Sequence, residues 1–529
     1  MSPAKKEMTL GAGNEVRAVS LKKNILATYA GQIYATLIGI VILPMYIRYM
    51  GAEAYGLVGF YSMLQSLFNL LDLGLSPTVA RETARFRGGA LDAYAFRRLV
   101  RALEGIFIAI AITGAGVLLL LSGQIATNWL VAKRLPISEI QRSIQLMAIA
   151  ITLRWVSGLY RGQITGSERL VWLSGYGSLI ATIRFVGVLG VLIFISASPV
   201  AYFSYQLGVA IVELGGVTLV AYRMLPPIPE GKRAAWSWAP LKQILKFSLT
   251  IAFTSAVWVL VTQTDKVVLS KILPLSEYGY YSLAVLAASG VMMISGPVGS
   301  ALMPRMARLE AEGDGAGLIR VYRETTQLVA VFAGAAAVTI AFCSRPLMLA
   351  WTGDKTLASF AVPILVPYAV GNAILAISAF PYYLQYAKGN LNLHLIGNAG
   401  FVIILIPTII WAASHYGGLG AGFVWLGMNI IYFLAWIPFI HREFAPGLNI
   451  PWYLHDVLTI AAVATLAGYV VSRLIPKTSS RLGLAASVIL VGLVVLFASA
   501  CSSSAVRKMV HRIVRRWREK KEVKLYELG

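Results

Sequence analysis

The sequence predicts an all-α polytopic membrane protein of about fourteen transmembrane helices, arranged as two six-helix pseudo-symmetric bundles followed by two further helices. Three observations lead there. Of 529 residues, 58% are hydrophobic and only 13% charged, with a mean hydropathy of +0.72, whereas a soluble domain carries about a quarter charged residues. Apolar runs of about 20 residues, the length that crosses a hydrocarbon core of roughly 30 Å, recur along the whole chain. A polar corner also repeats at a fixed offset of 223: Arg48 stands seven residues before Tyr55-Gly56 as Lys271 stands seven before Tyr278-Gly279. Arg85 and Arg308 follow those tyrosines by the same thirty residues, each at the end of an apolar helix that carries a proline, Pro77 or Pro297. A fixed offset inside a membrane chain is the mark of a transporter built from two related bundles that rock about a central site.

Residues 1–23 are polar and basic and read as a cytoplasmic segment. No small-residue cleavage site follows the first apolar run, so that run is an uncleaved first span. The N-terminal bundle, 24–224, contains spans near 24–49, 55–79, 102–122, 140–163, 170–195 and 200–224. A short proline-bearing linker, 225–240, is expected in the cytoplasm. The second bundle, 241–440, contains spans near 241–270, 278–304, 321–343, 357–386, 391–413 and 419–440. Residues 441–501 add two helices, near 454–471 and 482–500, and 502–529 form a basic tail.

Most of the 46 Lys and Arg fall in the termini and in every second loop, including Arg87, Arg97, Arg98, Lys232, Arg233, Arg320 and Arg323. Positive residues are retained on the cytoplasmic side, so both termini are expected there. The net charge of +23 therefore reflects topology and anionic lipid, not nucleic acid, because the basic residues sit at helix ends and form no groove. Cys343 and Cys501 fall at helix ends on opposite membrane faces, which excludes a disulfide within the chain, and zinc-ligand spacing is absent. No loop is long enough for an enzyme domain, and neither a phosphate-binding loop nor a catalytic motif is found. The glycines of 417–422 follow no strand and read as close helix packing.

In the tail, Val506, Met509, Val510, Ile513, Val514 and Trp517 recur at helical spacing among Arg507, Lys508, Arg512, Arg515, Arg516 and Arg518. That pattern fits an amphipathic interfacial helix held by anionic lipid, with a partner-binding tail as the alternative.

The interior charges carry the functional expectation, because a charge at membrane depth must find water or a partner. Arg154 lies mid-span with Arg161 at i+7 on the same helix face, and Arg184 lies mid-span in the next segment. Arginine suits bidentate contact with phosphate, so Arg154, Arg184 and Arg161 are candidate substrate ligands, together with Lys266. The alternative is an ion pair with Glu213, or, for Arg161, extension to the interface. Asp72, Glu213 and Asp265 are candidate ion-coupling carboxylates, able to exchange a proton or bind Na⁺. Glu104, near a helix end, is a fourth, with extension to the interface as its alternative. The alternative for Asp265 is a structural pair with Lys266. Pro44, Pro77, Pro297, Pro363, Pro367, Pro381, Pro407 and Pro438 suit helices that bend. Tyr34, Tyr61, Tyr176, Tyr205, Tyr281, Trp155 and Trp258 could stack on sugars or serve packing.

The block from Asn24 to Arg85, with Pro44, Tyr55-Gly56 and LLDLGLSPTVARETAR, and the block with Asp265-Lys266 and Tyr278-Gly279-Tyr280-Tyr281 resemble the Wzx-like polysaccharide flippases. These belong to the multidrug/oligosaccharidyl-lipid/polysaccharide exporter superfamily. The resemblance implies a MATE-like fold and no enzymatic activity. It implies a flippase for polyprenyl-pyrophosphate-linked oligosaccharide in the bacterial inner membrane, feeding O-antigen, capsule or exopolysaccharide assembly by alternating access. No cofactor is expected; a proton or Na⁺ gradient is a candidate driving force that the resemblance leaves open, and the candidate partners are membrane lipids, a polysaccharide polymerase or glycosyltransferases. A lipid II flippase and an ion-coupled multidrug antiporter are the alternatives; a scaffold for glycan-synthesis enzymes sits poorly with the repeat and the buried charges.

Overall fold

The computed structural model describes residues 21–227, 238–475, 478–512 and 514–515. In chain order the first half forms α1 (Leu21–Met50), α2 (Ala52–Phe68), α3 (Leu75–Arg87), α4 (Ala93–Gln124), α5 (Ile137–Gly166), α6 (Leu170–Thr182), α7 (Val188–Phe194) and α8 (Pro199–Arg223). The second forms α9 (Ala239–Ile272), α10 (Leu275–Ser289), α11 (Ser295–Ala311), α12 (Gly315–Thr352), α13 (Lys355–Ala387), α14 (Asn392–Ile431) and α15 (Ile437–Phe444). Then follow α16 (Asn449–Pro451), α17 (Thr459–Leu474) and α18 (Arg481–Ser502). No β-strand occurs among the described residues.

The helices start where side chains satisfy their free amides. Asp92 accepts from Tyr94 N and Ala95 N ahead of α4, Asp314 from Gly317 N at the matching start of α12, and Asp354 from Thr356 N and Leu357 N ahead of α13.

Among the described residues, ten helical stretches are both long and apolar enough to cross a membrane. The expected fourteen spans map onto them with three kinds of difference. The expected spans 55–79 and 278–304 are each broken by a 3₁₀ turn, Asn69–Asp72 and Gly290–Ile294, so that neither half is a full-length apolar helix. In the first break Leu73 and Gly74 both adopt left-handed backbone, and Pro77 lies in the first turn of α3, where its missing N–H costs nothing. The expected eleventh and twelfth spans lie in the single stretch Asn392–Phe444, folded back on itself at Gly417 (φ 59°, ψ −143°). A Cβ on Gly420 would stand 2.3 Å from the Ala412 carbonyl, a contact that only a reversal of the chain allows. The expected seventh span lies in α9, which is not one of the ten.

The two bundles repeat the same packing. In the first, α1 packs on α6 and α5 on α4 and α8; in the second, α9 packs on α14 and α13 on α12 and α14. The bundles meet where α2 lies along α10, and α17 and α18 pack on α12. Leu120, Phe194, Leu482 and Phe497 are among many large apolar side chains left exposed, as lipid-facing surfaces require. The kink in α12 falls at Cys343 (φ −116°, ψ 19°), three residues before Pro346. Cys343 is buried there and Cys501 is exposed at the end of α18; both are free thiols.

At the end opposite the arginine-rich α3–α4 turn, the bundles are tied together. Leu275 N donates to Val131 O at 2.8 Å and Trp129 Nε1 to Ser270 Oγ at 2.9 Å. The Glu53 carboxylate accepts the amides of Lys133, Arg134 and Leu135 at 2.5–3.2 Å, which fixes the connecting strap against α2.

The tail continues as helix beyond Ser503. Gln327 of α12 accepts from Ser503 Oγ, Ser504 Oγ and Ala505 N, and donates to Asp456, which also pairs with Arg323 at 2.6 Å. Met509, Val510 and Val514 are exposed, as an interfacial helix requires. Ile513, Trp517, Arg516 and Arg518 lie outside the described residues, as do residues 1–20 and most of the linker.

Candidate functional site

Two adjoining cavities flank the contact of the bundles, one between them and one within the first bundle that reaches the second at Leu286. One, of about 350 Å³, is walled by α2, α9, α10 and α13 and exposes Lys266, Asn372 and Trp425. The other, of about 670 Å³, is walled by α1, α2, α5, α6 and α8 and exposes Arg161, Arg184, Tyr61, Gln206 and Glu213. Leu43, Val58, Ser62 and Leu286 line both, so the two cavities share a wall.

At the larger cavity two arginines, Arg154 and Arg161, gather around one carboxylate, and a third, Arg184, lies nearby. Glu213 of α8 accepts from Arg161 Nη2 at 2.6 Å and lies 3.6 Å from Arg154 Nε. Arg154 Nη2 donates to Gln206 at 3.1 Å, and Gln206 Nε2 in turn donates to the Arg184 carbonyl at 3.3 Å. Arg184 sits on a π-helical turn, Ile183–Gly187, a local widening that recurs at functional sites. Its guanidinium stacks 4.3 Å over the Phe185 ring, and no carboxylate of the described residues comes within ion-pair distance of it. Three positive charges against one negative leave the group cationic, and at membrane depth that excess favours an anion.

The expected arginines are therefore not equivalent. Arg184 and Arg161 reach the cavity wall, whereas Arg154 is buried, with its Nη2 donating to Gln206 and its Nε 3.6 Å from Glu213. Arg154 does not share this wall with Arg184: it stands behind it, between Gln206 and Glu213 of α8 on one side and a further cavity lined by Asp72, Trp155 and Trp258 on the other. Arg161 does not extend to the interface; its ion pair with Glu213 holds it inward.

Asp265 and Lys266 pair as the structural alternative requires, at 3.3 Å, with Lys266 Nζ also donating to the Thr262 carbonyl. Asp265 is 3% exposed. Its second oxygen accepts the hydroxyls of Tyr281 at 2.6 Å and Tyr368 at 2.5 Å, so the carboxylate is fully hydrogen-bonded. Lys266 lines the smaller cavity. Asp72 caps α3 by accepting Ser76 Oγ at 2.6 Å and Ser76 N at 3.3 Å. Glu104 accepts from Tyr222 and Tyr160 and pairs with Arg101 at 3.2 Å, near the arginine-rich end.

Of the aromatic candidates, Tyr176 and Tyr205 donate to backbone carbonyls of neighbouring helices, Tyr34 bonds Thr182, and Tyr281 is buried on Asp265. Those four serve packing. Tyr61 and Trp258 remain on cavity walls. Gln206, Tyr368, Asn372 and Trp425 were not expected; Trp425 Nε1 donates to Asn372 at 3.0 Å beside Tyr368. Neutral polar groups within apolar helices carry no charge signal that would single them out.

Residues 21–310 match the family model described as polysaccharide biosynthesis protein. A Shigella flexneri protein that its name assigns to O-antigen transport is 21% identical over 408 residues, covering 77% of this chain and 94% of that protein. Among solved structures, the lipid II flippase MurJ in an inward closed conformation superposes with a TM-score of 0.70 at 13% identity, covering 90% of this chain and 98% of that one. A multidrug resistance MATE family transporter of the MOP superfamily, inward-facing, gives a TM-score of 0.64 at 13% identity, covering 80% and 100%. At these identities the structural likeness is one of fold, and it bears out the expected MATE-like architecture. These relatives are named as transporters and flippases rather than enzymes, in line with a chain that performs no covalent chemistry.

Proposed function

Because the chain belongs to the polysaccharide biosynthesis protein family, we propose that it is a flippase that carries polyprenyl-pyrophosphate-linked oligosaccharide across the bacterial cytoplasmic membrane. The observation that carries this reading is Arg184, on the wall of the larger cavity and without a carboxylate partner among the described residues. A pyrophosphate supplies the missing negative charge, and the planar guanidinium matches its oxygens. Arg161, held by Glu213, and Lys266, held by Asp265, add donors around the same space. The lipid tail stays in the bilayer while the head group crosses.

Both termini and the arginine-rich end lie in the cytoplasm on this reading, which makes the strap at Glu53 and the α2–α10 contact the outer closure. Alternating access then consists of parting that closure while the arginine-rich end draws together. The glycan feeds O-antigen, capsule or exopolysaccharide assembly, with glycosyltransferases supplying the substrate and a polymerase receiving it. The basic tail rests on anionic lipid. A proton or Na⁺ gradient drives the cycle through Asp72, Glu213 or Asp265, without a cofactor.

A cation antiporter is disfavoured by the excess positive charge of the cavity. Lipid II shares the pyrophosphate and so competes as a substrate. The test is binding to purified protein by native mass spectrometry, with polyprenyl-pyrophosphate oligosaccharide, lipid II and a lipophilic cation offered in equal amounts. Retention of the pyrophosphate lipids and its loss in Arg184→Ala support the reading. Retention of the cation alone refutes it.

A further inference from the structure

Behind the paired arginines lies a separate cavity of about 550 Å³, whose wall carries Asn69, Asp72, Ser76, Arg154, Trp155 and Trp258. The turn after α2 and helix α5 supply its first-bundle side, and α9 of the second bundle closes it. Two donors there have nothing to donate to. Arg154 Nη1 and Trp155 Nε1 are buried without a hydrogen bond, in side chains that are each 7% exposed overall. A buried donor left this way is costly unless a ligand accepts from it.

The remaining walls narrow the ligand class. The Asp72 carboxylate only accepts, and one of its oxygens has no partner closer than the 3.3 Å Ser76 amide. Trp258 is 51% exposed and presents an apolar indole. A suitable ligand must accept from Arg154 and Trp155, donate to Asp72, and offer an apolar face to Trp258. Phosphate accepts without donating, an ammonium donates without accepting, and an acyl chain does neither. A hydroxyl does both, and a pyranose ring adds a face of C–H bonds that packs on an aromatic surface.

We infer that this cavity is a glycan subsite that takes one sugar ring of the transported lipid, with Arg154 and Trp155 donating, Asp72 accepting and Trp258 as the platform. The inference rests on the proposed flippase reading. Trp258 also lines the cavity between the bundles, which shares a wall at Leu43, Val58, Ser62 and Leu286 with the cavity of Arg184, so a sugar seated here lies one cavity away from a pyrophosphate near Arg184. Arg154 links the two regions, since its Nη2 holds Gln206 beside Arg184. Because α9 carries Trp258 while α5 carries Arg154 and Trp155, movement of the bundles would take this subsite apart and release the ring.

The test uses full-length purified protein and two probes, a polyprenyl-pyrophosphate-linked oligosaccharide and the same polyprenyl pyrophosphate without sugar. Trp258→Ala should weaken the glycosylated lipid about tenfold and leave the sugarless one within about twofold. Trp258→Phe, which keeps an aromatic face, should restore most of the affinity, and Asp72→Asn should again act on the glycosylated lipid alone. Arg184→Ala should weaken both probes. Equal losses for both probes in Trp258→Ala, or no loss for either, would overturn the subsite while leaving the flippase reading intact, provided that Arg184→Ala still weakens both. Wild-type protein that binds the two lipids equally also overturns it, since water alone would then fill the cavity. Wild-type protein that binds neither lipid removes the subsite and the flippase reading together.

Discussion

Gly56 lies directly against the Leu275 carbonyl: a Cβ on Gly56 would stand 2.0 Å from that oxygen. The relation is reciprocal, because a Cβ on Gly279 would stand 2.8 Å from the Ala52 carbonyl, and the same offset of 223 joins Ala52 to Leu275 and Gly56 to Gly279. The repeat in the sequence is thus a pseudo-twofold contact in space, where α2 and α10 cross with no side chain between their backbones.

Gly56→Ala should therefore push the bundles apart at this end, at a cost of about 1–3 kcal/mol. A cysteine placed at Ser282, on the adjoining cavity, should react faster with an impermeant thiol reagent in Gly56→Ala than in the parent. Gly175→Ala, where a Cβ meets only open space, should change nothing. Unchanged labelling in Gly56→Ala would mean that this contact does not close the cavity.

Glu213 holds two arginines, so Glu213→Gln leaves Arg154 buried without its counter-charge and should lower stability by about 3 kcal/mol or more. Arg161→Gln added to it should recover little, because Arg161 is partly exposed while Arg154 is not. Thermal melting of the single and double variants reads this directly. Full recovery in the double variant would show that Arg161, not Arg154, depends on the carboxylate.

Asp265 is shared among Lys266, Tyr281 and Tyr368. As a structural centre it predicts that Asp265→Asn destabilises by about 3 kcal/mol and that Lys266→Met restores part of the loss. If Asp265 instead couples transport to an ion, Asp265→Asn keeps its melting temperature and loses the response to an imposed gradient. Asp72→Asn and Glu213→Gln, assayed in parallel, locate the coupling carboxylate.

The orientation proposed from the loop charges is checked with cysteine-free protein carrying a single cysteine at Ser276, at the start of α10, or at Ser502, at the end of α18. The two sites should be labelled from opposite faces of the membrane. Labelling from one face would overturn the topology.

The sequence reveals most where charge and spacing speak. The 223-residue offset finds the α1–α2 and α9–α10 corners, and the glycines at 417–422 pack as expected, Gly418 against Ile364 and Tyr281 and Gly422 against Pro367. It is silent where backbone conformation decides. The left-handed pair Leu73–Gly74 splits an apolar run that reads as one helix, since hydropathy does not register a turn. Nor can it tell which arginine keeps a free guanidinium. Arg154, Arg161 and Arg184 look alike in sequence, and only the placement of Gln206 and Glu213 separates them. Glu53, at an ordinary-looking corner, shows its role only through the three amides that surround it.

The most direct measurement is transbilayer movement of a defined polyprenyl-pyrophosphate-linked oligosaccharide in proteoliposomes, with and without an imposed proton or Na⁺ gradient and in the absence of ATP. Protein-dependent movement that answers to a gradient, and falls about 10–100-fold in Arg184→Ala at equal protein levels, is the expected result. Glycolipid that stays in its original leaflet, in vesicles where the same protein exchanges a lipophilic cation, would contradict the flippase reading and establish an antiporter in its place.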